Sequence, residues 1–174
     1  MHSFIELIDR TVTFSLNVVD EKEAEISEAL QHSGATVHIK NLQAMNLNRA
    51  FVAVGMFSMF EALIQDRINC DHGFIQAKEC LSIQREADLL KEFKIYCHAI
   101  NVLKHGRGRS YEALLENADN LPFQIKAEAD DFFEEGDVSE ITTLIEADRA
   151  FVLKCADVVQ RVSHIIEATH QTQL

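Results

Sequence analysis

The sequence predicts an all-α fold, an antiparallel bundle of four main helices with shorter helices between them. Three observations predict it. Apolar residues recur at spacings of three and four along most of the chain. One proline and six glycines in 174 residues leave long stretches without a breaker. No alternating apolar–polar run is long enough to specify a strand. A chain of this length reads as one domain, 1–174, able to bury a core without disulfides or metal.

The first helix opens at Ser3-Phe4-Ile5-Glu6, which has the form of a capping box. Ile5, Ile8, Val12, Leu16 and Val19 follow at helical spacing, and Ser33-Gly34 is a natural stop. The charged run Asp20 to Glu28 is either an exposed part of that helix or a break in it. A second helix is expected over Val37 to Ile68. Its middle, Ala50 to Phe60, is apolar on nearly all sides, as in a helix enclosed by others, with Gly55 and Ser58 allowing close approach. Glu61 closes that run at a solvated edge, or as a partly buried carboxylate paired with a histidine or arginine. Asp71-His72-Gly73 reads as a turn, followed by a short helix to Leu81 and a longer one from Ser82 to His105, with Gly106 just past its end. Ser110 is placed to cap a short helix to Asn117, which Asn120-Leu121-Pro122 ends. Phe123 to Gly136 reads as irregular, pinned by Phe132 and Phe133. Asp137-Val138-Ser139-Glu140 is a second capping-box candidate. From there a final helix to Thr169 would bury Leu144, Phe151, Cys155, Val158, Val159, Val162 and Ile166.

Met1-His2-Ser3 leads directly into an amphipathic pattern, with no secretory signal. The run from Ala50 to Phe60, closed by Arg49 and Glu61, is too short to cross a bilayer. A cytoplasmic protein without a membrane partner is expected. Cys70, Cys80, Cys97 and Cys155 show no CxxC spacing and read as reduced core thiols, although Cys70, His72, Cys97 and His98 are a conceivable metal set. The net charge of −12 is unevenly distributed: Glu112 to Asp148 holds twelve acidic residues and one basic residue, Lys126. The rest of the chain is close to neutral. This segment is either a solvated excursion or an acidic flap over the basic turn that precedes it.

Chemistry is concentrated at the end of the 82–105 helix. Lys94, His98, Asn101 and His105 fall at spacings of four, three and four, and so occupy an arc of roughly 60° on one helix face. Leu89, Phe93, Tyr96, Cys97, Ile100 and Leu103 form the apolar stripe away from it. The helix then runs into Lys104-His105-Gly106-Arg107-Gly108-Arg109-Ser110, a basic turn whose glycine-flanked amides could form an anion-binding nest. Each of these residues also has a structural reading: Lys94 solvated, His98 at a surface or interface, Asn101 bonded to a loop, and Lys104 and His105 complementing the helix dipole. The P-loop, GxGxxG and HExxH patterns are absent. A di-iron bundle would require two Glu-x-x-His pairs, and only Glu167 to His170 fits. Asp131 to Gly136 is loosely similar to a calcium loop, but Phe133 stands where an oxygen ligand is needed. Cys97 on the apolar stripe would be a poor nucleophile.

Asn101 and His105, four residues apart at the end of a late helix, resemble the active segment of the HEPN superfamily. These are all-α bundles that often dimerise, and many are metal-independent ribonucleases. The resemblance covers Gln84 to Ser110. It implies an HEPN-like fold, with His105 as base or acid, Asn101 and His98 beside it, and no cofactor or metal. The family's arginine is missing, because Ile100 stands in its place. Lys94, His98 in its protonated form, Lys104 or Arg107 would have to supply the cation for charge developing on phosphorus, with Arg109 as a further phosphate contact, and losing one well-placed donor can cost about 10²–10³ in rate.

The resulting expectation is an HEPN-like homodimer, joined through the face of the His105 helix, that binds RNA or a nucleotide phosphate at the basic turn. Ribonuclease activity is not the favoured outcome. One rival is an interaction module whose acidic 112–148 segment binds a basic protein. Another is a small-molecule enzyme using His98 and His105 as an acid/base pair. The acidic total restricts any RNA contact to a local patch.

Overall fold

A computed structural model describes residues 2–127 and 140–171, with side chains from Ile5 to Thr169. The fold is all-α. In chain order the helices are α1 (His2–His32), α2 (Thr36–Ile68), α3 (Gly73–Ile83), α4 (Ala87–His105), α5 (Arg109–Leu115) and α6 (Arg149–Gln171), with a 3₁₀ turn at Ala118–Asn120 between the last two. Both α2 and α6 pack against four other helices, and α4 lies against α2, α3, α5 and α6. Among the described residues, the only extended pairing is a single antiparallel bridge between Ile125 and Ile145.

The apolar stripes read from the sequence form the core. Ile8, Val12, Leu16 and Val19 of α1 are buried, as are Phe151, Cys155, Val158, Val159, Val162 and Ile166 of α6. Two aromatic groups meet at α4. Phe93 stacks on Phe57 at 6.4 Å between ring centroids and meets the edge of Phe74 at 5.3 Å. Three residues on, Tyr96 packs against Phe123 and Phe151, each at 5.6 Å. Such pairs add roughly 0.5–1.5 kcal/mol each beyond the area they bury. Together they fix the rotation of α4 about its axis.

The charged run Asp20 to Glu28 continues α1. Asp20 and Glu23 turn inward and hold the buried Arg49 of α2 at 3.2 and 2.5 Å, while Asp20 also pairs with Arg149 of α6. Burial opposes the charge on Arg49, but its bonds to Glu23 and Asp20 outweigh that and raise its pKa. A second ion network, Glu92 with Lys154 and Arg161, ties α4 to α6.

Several boundaries differ from the sequence reading. The 82–105 helix begins at Ala87, because Arg85 adopts a left-handed backbone (φ 61°) that breaks the chain into α3 and α4. The final helix begins at Arg149, where the Asp148 carboxylate accepts the Phe151 N–H at 2.7 Å. Ile141 to Asp148 is not helical, so Leu144 packs from a connecting segment. Ser110 lies inside α5, and Gly108 precedes the helix in the capping position. Helix α1 already includes Ser3, whose side chain lies outside the description. Residues 128–139, which carry Phe132, Phe133, Asp131 to Gly136 and Asp137 to Ser139, also lie outside the described residues, as does the side chain of His170.

Helix α2 is long and apolar enough to span a bilayer by length and composition. In this fold Ala53, Met56, Phe57 and Phe60 are buried, but Phe51 and Met59 face outward, so the helix is not enclosed on all sides. Nothing approaches Gly55 closely. The close approach occurs instead at Gly73, where a Cβ would stand 2.6 Å from the Glu61 carbonyl oxygen. Gly73→Ala should therefore destabilise the protein by roughly 1–3 kcal/mol through overpacking. Gly55→Ala, in open space within a helix, should be neutral or stabilising by up to about 1 kcal/mol. Urea unfolding of the two variants checks the contrast, and equal effects would contradict it.

Candidate phosphate-binding groove on the fourth helix

The aromatic anchors turn the opposite side of α4 outward, and that side carries the polar row. Lys94, Asn101, Lys104 and His105 are exposed, and His98 is half-buried. Beside the first part of the row lies a groove of about 620 Å³ between α4 and the segment formed by α5 and the 3₁₀ turn. Leu90, Ile95, Leu114 and Leu121 give it an apolar floor, while Lys91, Lys94, His98, Asn117 and Asn120 supply its polar groups. The volume falls within the ~300–1,000 Å³ usual for small-molecule sites.

The groove takes in only part of the predicted set. Lys94 and His98 line it, whereas Asn101, Lys104, His105, Arg107 and Arg109 do not. His105 lies seven residues beyond His98, about 10 Å along the helix axis, so the two imidazoles do not share the groove. Asn101 is connected to it through Ser110: its amide donates to the Ser110 hydroxyl at 3.4 Å, and that hydroxyl lies 3.2 Å from His98 Nδ1. Oγ has two lone pairs, so it can accept from both Asn101 and Nδ1–H or give its proton to a bare Nδ1, and the contact orients the ring in either tautomer. Burial, and secondarily the positive charge of Lys78 on α3, lower the His98 pKa. The ring is thus a neutral, oriented group at neutral pH and supplies no cation.

The basic turn is open to solvent. Gly106 has φ 72° and gives its N–H to the Val102 carbonyl at 2.8 Å, closing the helix, so that amide is engaged and not free to join an anion-binding nest. The last part of the acidic 112–148 segment lies elsewhere. Ile141 to Asp148 instead lines a cavity beside Arg49 and Asn46 on α2, with Gln43 donating to the Glu140 carbonyl at 3.3 Å and Lys126 paired with Glu140.

Ile100, where the HEPN resemblance would place an arginine, is 3% exposed and belongs to the core. Cys97 is buried, and burial pushes its thiol up to about 12. All four cysteines are free thiols. Among the described residues, no three His, Cys, Asp or Glu side chains converge on a point that would hold a metal ion. None of the large apolar side chains exposed on the described residues belongs to α4.

The sequence reading missed Lys91, Asn117, Asn120 and the Ser110 contact. Lys91 was within reach, because it stands three residues before Lys94 and lies about 20° beyond the edge of the same arc. The two asparagines enter only through the packing of α5 and the 3₁₀ turn against α4, which no local pattern encodes. Comparison with family models, curated proteins and solved structures finds no match for this chain. The HEPN resemblance therefore rests on Asn101, His105 and the adjoining turn.

Neutral His98 makes a testable contribution to stability. Burial and Lys78 disfavour the imidazolium in the fold, so the unfolded chain takes up this proton at a higher pH than the folded chain. The contribution is complete above the ordinary histidine value of about 6.5 and is lost as pH falls through the lower folded value. Urea unfolding followed down from neutral pH should show a decline that begins at about 6.5, the ordinary histidine value, and that His98→Asn flattens. An unchanged slope in the variant would contradict the assignment. Glu92 and Asp157, both held below the carboxylate range despite burial by their bonds to Lys154 and Arg161, lose their contributions only at lower pH.

Proposed function

We propose that this chain binds RNA or a nucleotide phosphate in the groove along α4, with Lys104, Arg107 and Arg109 as an outlying cationic contact, and that it does so without cleavage. The observation that carries this reading is the composition of the groove. An apolar floor suits the face of a base, while Lys91 and Lys94 suit a phosphate and Asn117 and Asn120 can read polar edges. The acidic balance of the whole chain keeps the contact local, to about the length of one or two nucleotides.

Two features favour binding over cleavage. Metal-independent cleavage of RNA requires a cation beside the developing phosphorane as well as an acid and a base. The position corresponding to the family's arginine is occupied by core Ile100, and His98 is held neutral. His105 stands on the solvent side of the last turn, outside the groove. An HEPN-like relationship remains part of this proposal as the origin of the Asn101–His105 spacing.

Fluorescence anisotropy with a labelled single-stranded oligoribonucleotide tests the reading. With two phosphates neutralised, raising salt from about 50 to 200 mM should weaken binding about sevenfold. The double variant Lys91→Ala/Lys94→Ala should weaken it at least about tenfold and flatten the salt dependence. RNA length should remain unchanged during the measurement. Binding indifferent to both lysines would overturn the groove assignment. Metal-independent cleavage lost in His105→Ala would restore the nuclease reading. Capture of a basic protein through the acidic 112–148 segment, with no nucleotide affinity, would favour the interaction module.

A further inference from the structure

A second surface, away from α4, has the features of a contact site between protein copies. On α1, Leu7, Thr11, Phe14 and Val18 fall at spacings of four, three and four, so they form one stripe on a face other than the one buried in the core. On α2, Leu47, Phe51, Gly55 and Met59 form a second stripe. A groove of about 410 Å³ joins the two, lined by Leu7 and Thr11 from α1 and by Phe51, Gly55 and Met59 from α2. Leu7, Phe14, Val18, Leu47, Phe51 and Met59 are between 39% and 71% exposed, with Phe14 the most open.

We infer that this face joins two copies of the chain in a two-fold dimer. Three observations single out a second copy as the occupant. The first is area. The six side chains present roughly 600–700 Å², at or above the ~300–600 Å² of the largest patch on an ordinary monomer. It is also near the ~800 Å² per partner of a stable interface once the neighbouring Thr11 and Gly55 positions are added.

The second observation is charge. No residue from Thr11 to Val19 or from Ala50 to Phe60 is ionisable, in a chain of which 25% is charged. Depletion of charge marks the centre of protein interfaces. The net charge of −12 is concentrated in 112–148, and two copies that brought those segments together would repel each other. A contact along the uncharged band of α1 and α2 brings no like charges together. The same band offers no cation to an anionic lipid headgroup and no carboxylate to a basic partner.

The third is shape. Phe14 is a ridge, and the Gly55 groove beside it is a recess in which an added Cβ would meet nothing within 4 Å. An isologous contact requires one patch to carry both halves of such a fit. With the two copies of α1 crossing antiparallel about a point between Thr11 and Phe14, Leu7 of one copy lies opposite Val18 of the other, and each Phe14 approaches the recess of its neighbour. The contact lies on α1 and α2 and not on the α4 face expected from sequence. It is independent of the nucleotide reading and leaves that groove open in both copies.

The test is sedimentation equilibrium of the full chain at micromolar concentration. Wild type is expected to run at about twice the 19.7 kDa of one chain. Phe14→Glu and Phe51→Glu place charge at exposed positions, so each should halve the mass while leaving the far-ultraviolet helix signal unchanged. Ile83→Glu, at a residue on α3 that is 76% exposed and outside the patch, should leave the dimer intact. A wild-type mass of one chain throughout overturns the inference, and so does a dimer that survives both α1 and α2 substitutions. A monomer that co-sediments with neutral phosphatidylcholine vesicles, and loses this in Phe14→Glu, would assign the face to a lipid surface and overturn it as well.

Discussion

The structure depends on how α4 is held. Phe93 and Tyr96, three residues apart, lock the helix into two aromatic groups, one built from α2 and α3 and the other from α6 and Phe123. Truncating a buried aromatic residue costs about 3–5 kcal/mol in comparable cores. A slip of one residue would turn α4 by about 100° and move its whole polar row. With the helix fixed, Lys91, Lys94, His98 and Asn101 can face only outward, toward the space that α5 and the 3₁₀ turn then narrow into a groove.

The same anchoring sets the electrostatics. Glu92 lies on the α6 side of α4, where Lys154 and Arg161 neutralise it, so the flank toward α6 carries an ion network while Lys91 and Lys94 line the groove side. His98 stands at the border between them, partly buried, near Lys78 and bonded to Ser110. Its neutrality follows from position and requires no special chemistry. The site thus combines two ammonium groups over an apolar floor with a row of neutral polar groups. That composition suits binding an anion with a flat body better than transferring a proton.

Much of the fold was legible in the sequence because helical periodicity survives in α1, α4 and α6, where one face is buried, and a long run without breakers marks α2. The errors fall where tertiary structure overrides local pattern. Arg85 takes a left-handed backbone that divides α3 from α4, although arginine carries no signal for that conformation. The apolar middle of α2 resembled an enclosed helix, but a run apolar on all sides cannot distinguish burial all round from an exposed apolar face. Gly55 and Gly73 exchanged roles for a related reason: the close contact depends on the crossing of α2 and α3, which no window of sequence contains. At the site, Lys94 and His98 were found by spacing. His105 shares their helix face but does not line their groove, and at that end of it Ser110 of α5 contacts His98 and Asn101.

The central claim is that the outward face of α4, fixed by its aromatic anchors, is the place where an anionic ligand docks. Backbone amide ¹H–¹⁵N spectra recorded while titrating adenosine monophosphate test it most directly. The account predicts shifts concentrated at Lys91, Lys94, His98, Ser110, Asn117 and Asn120, with α1 and the first half of α2 unmoved. Saturation without shifts in that group, or shifts centred on another surface, would contradict it.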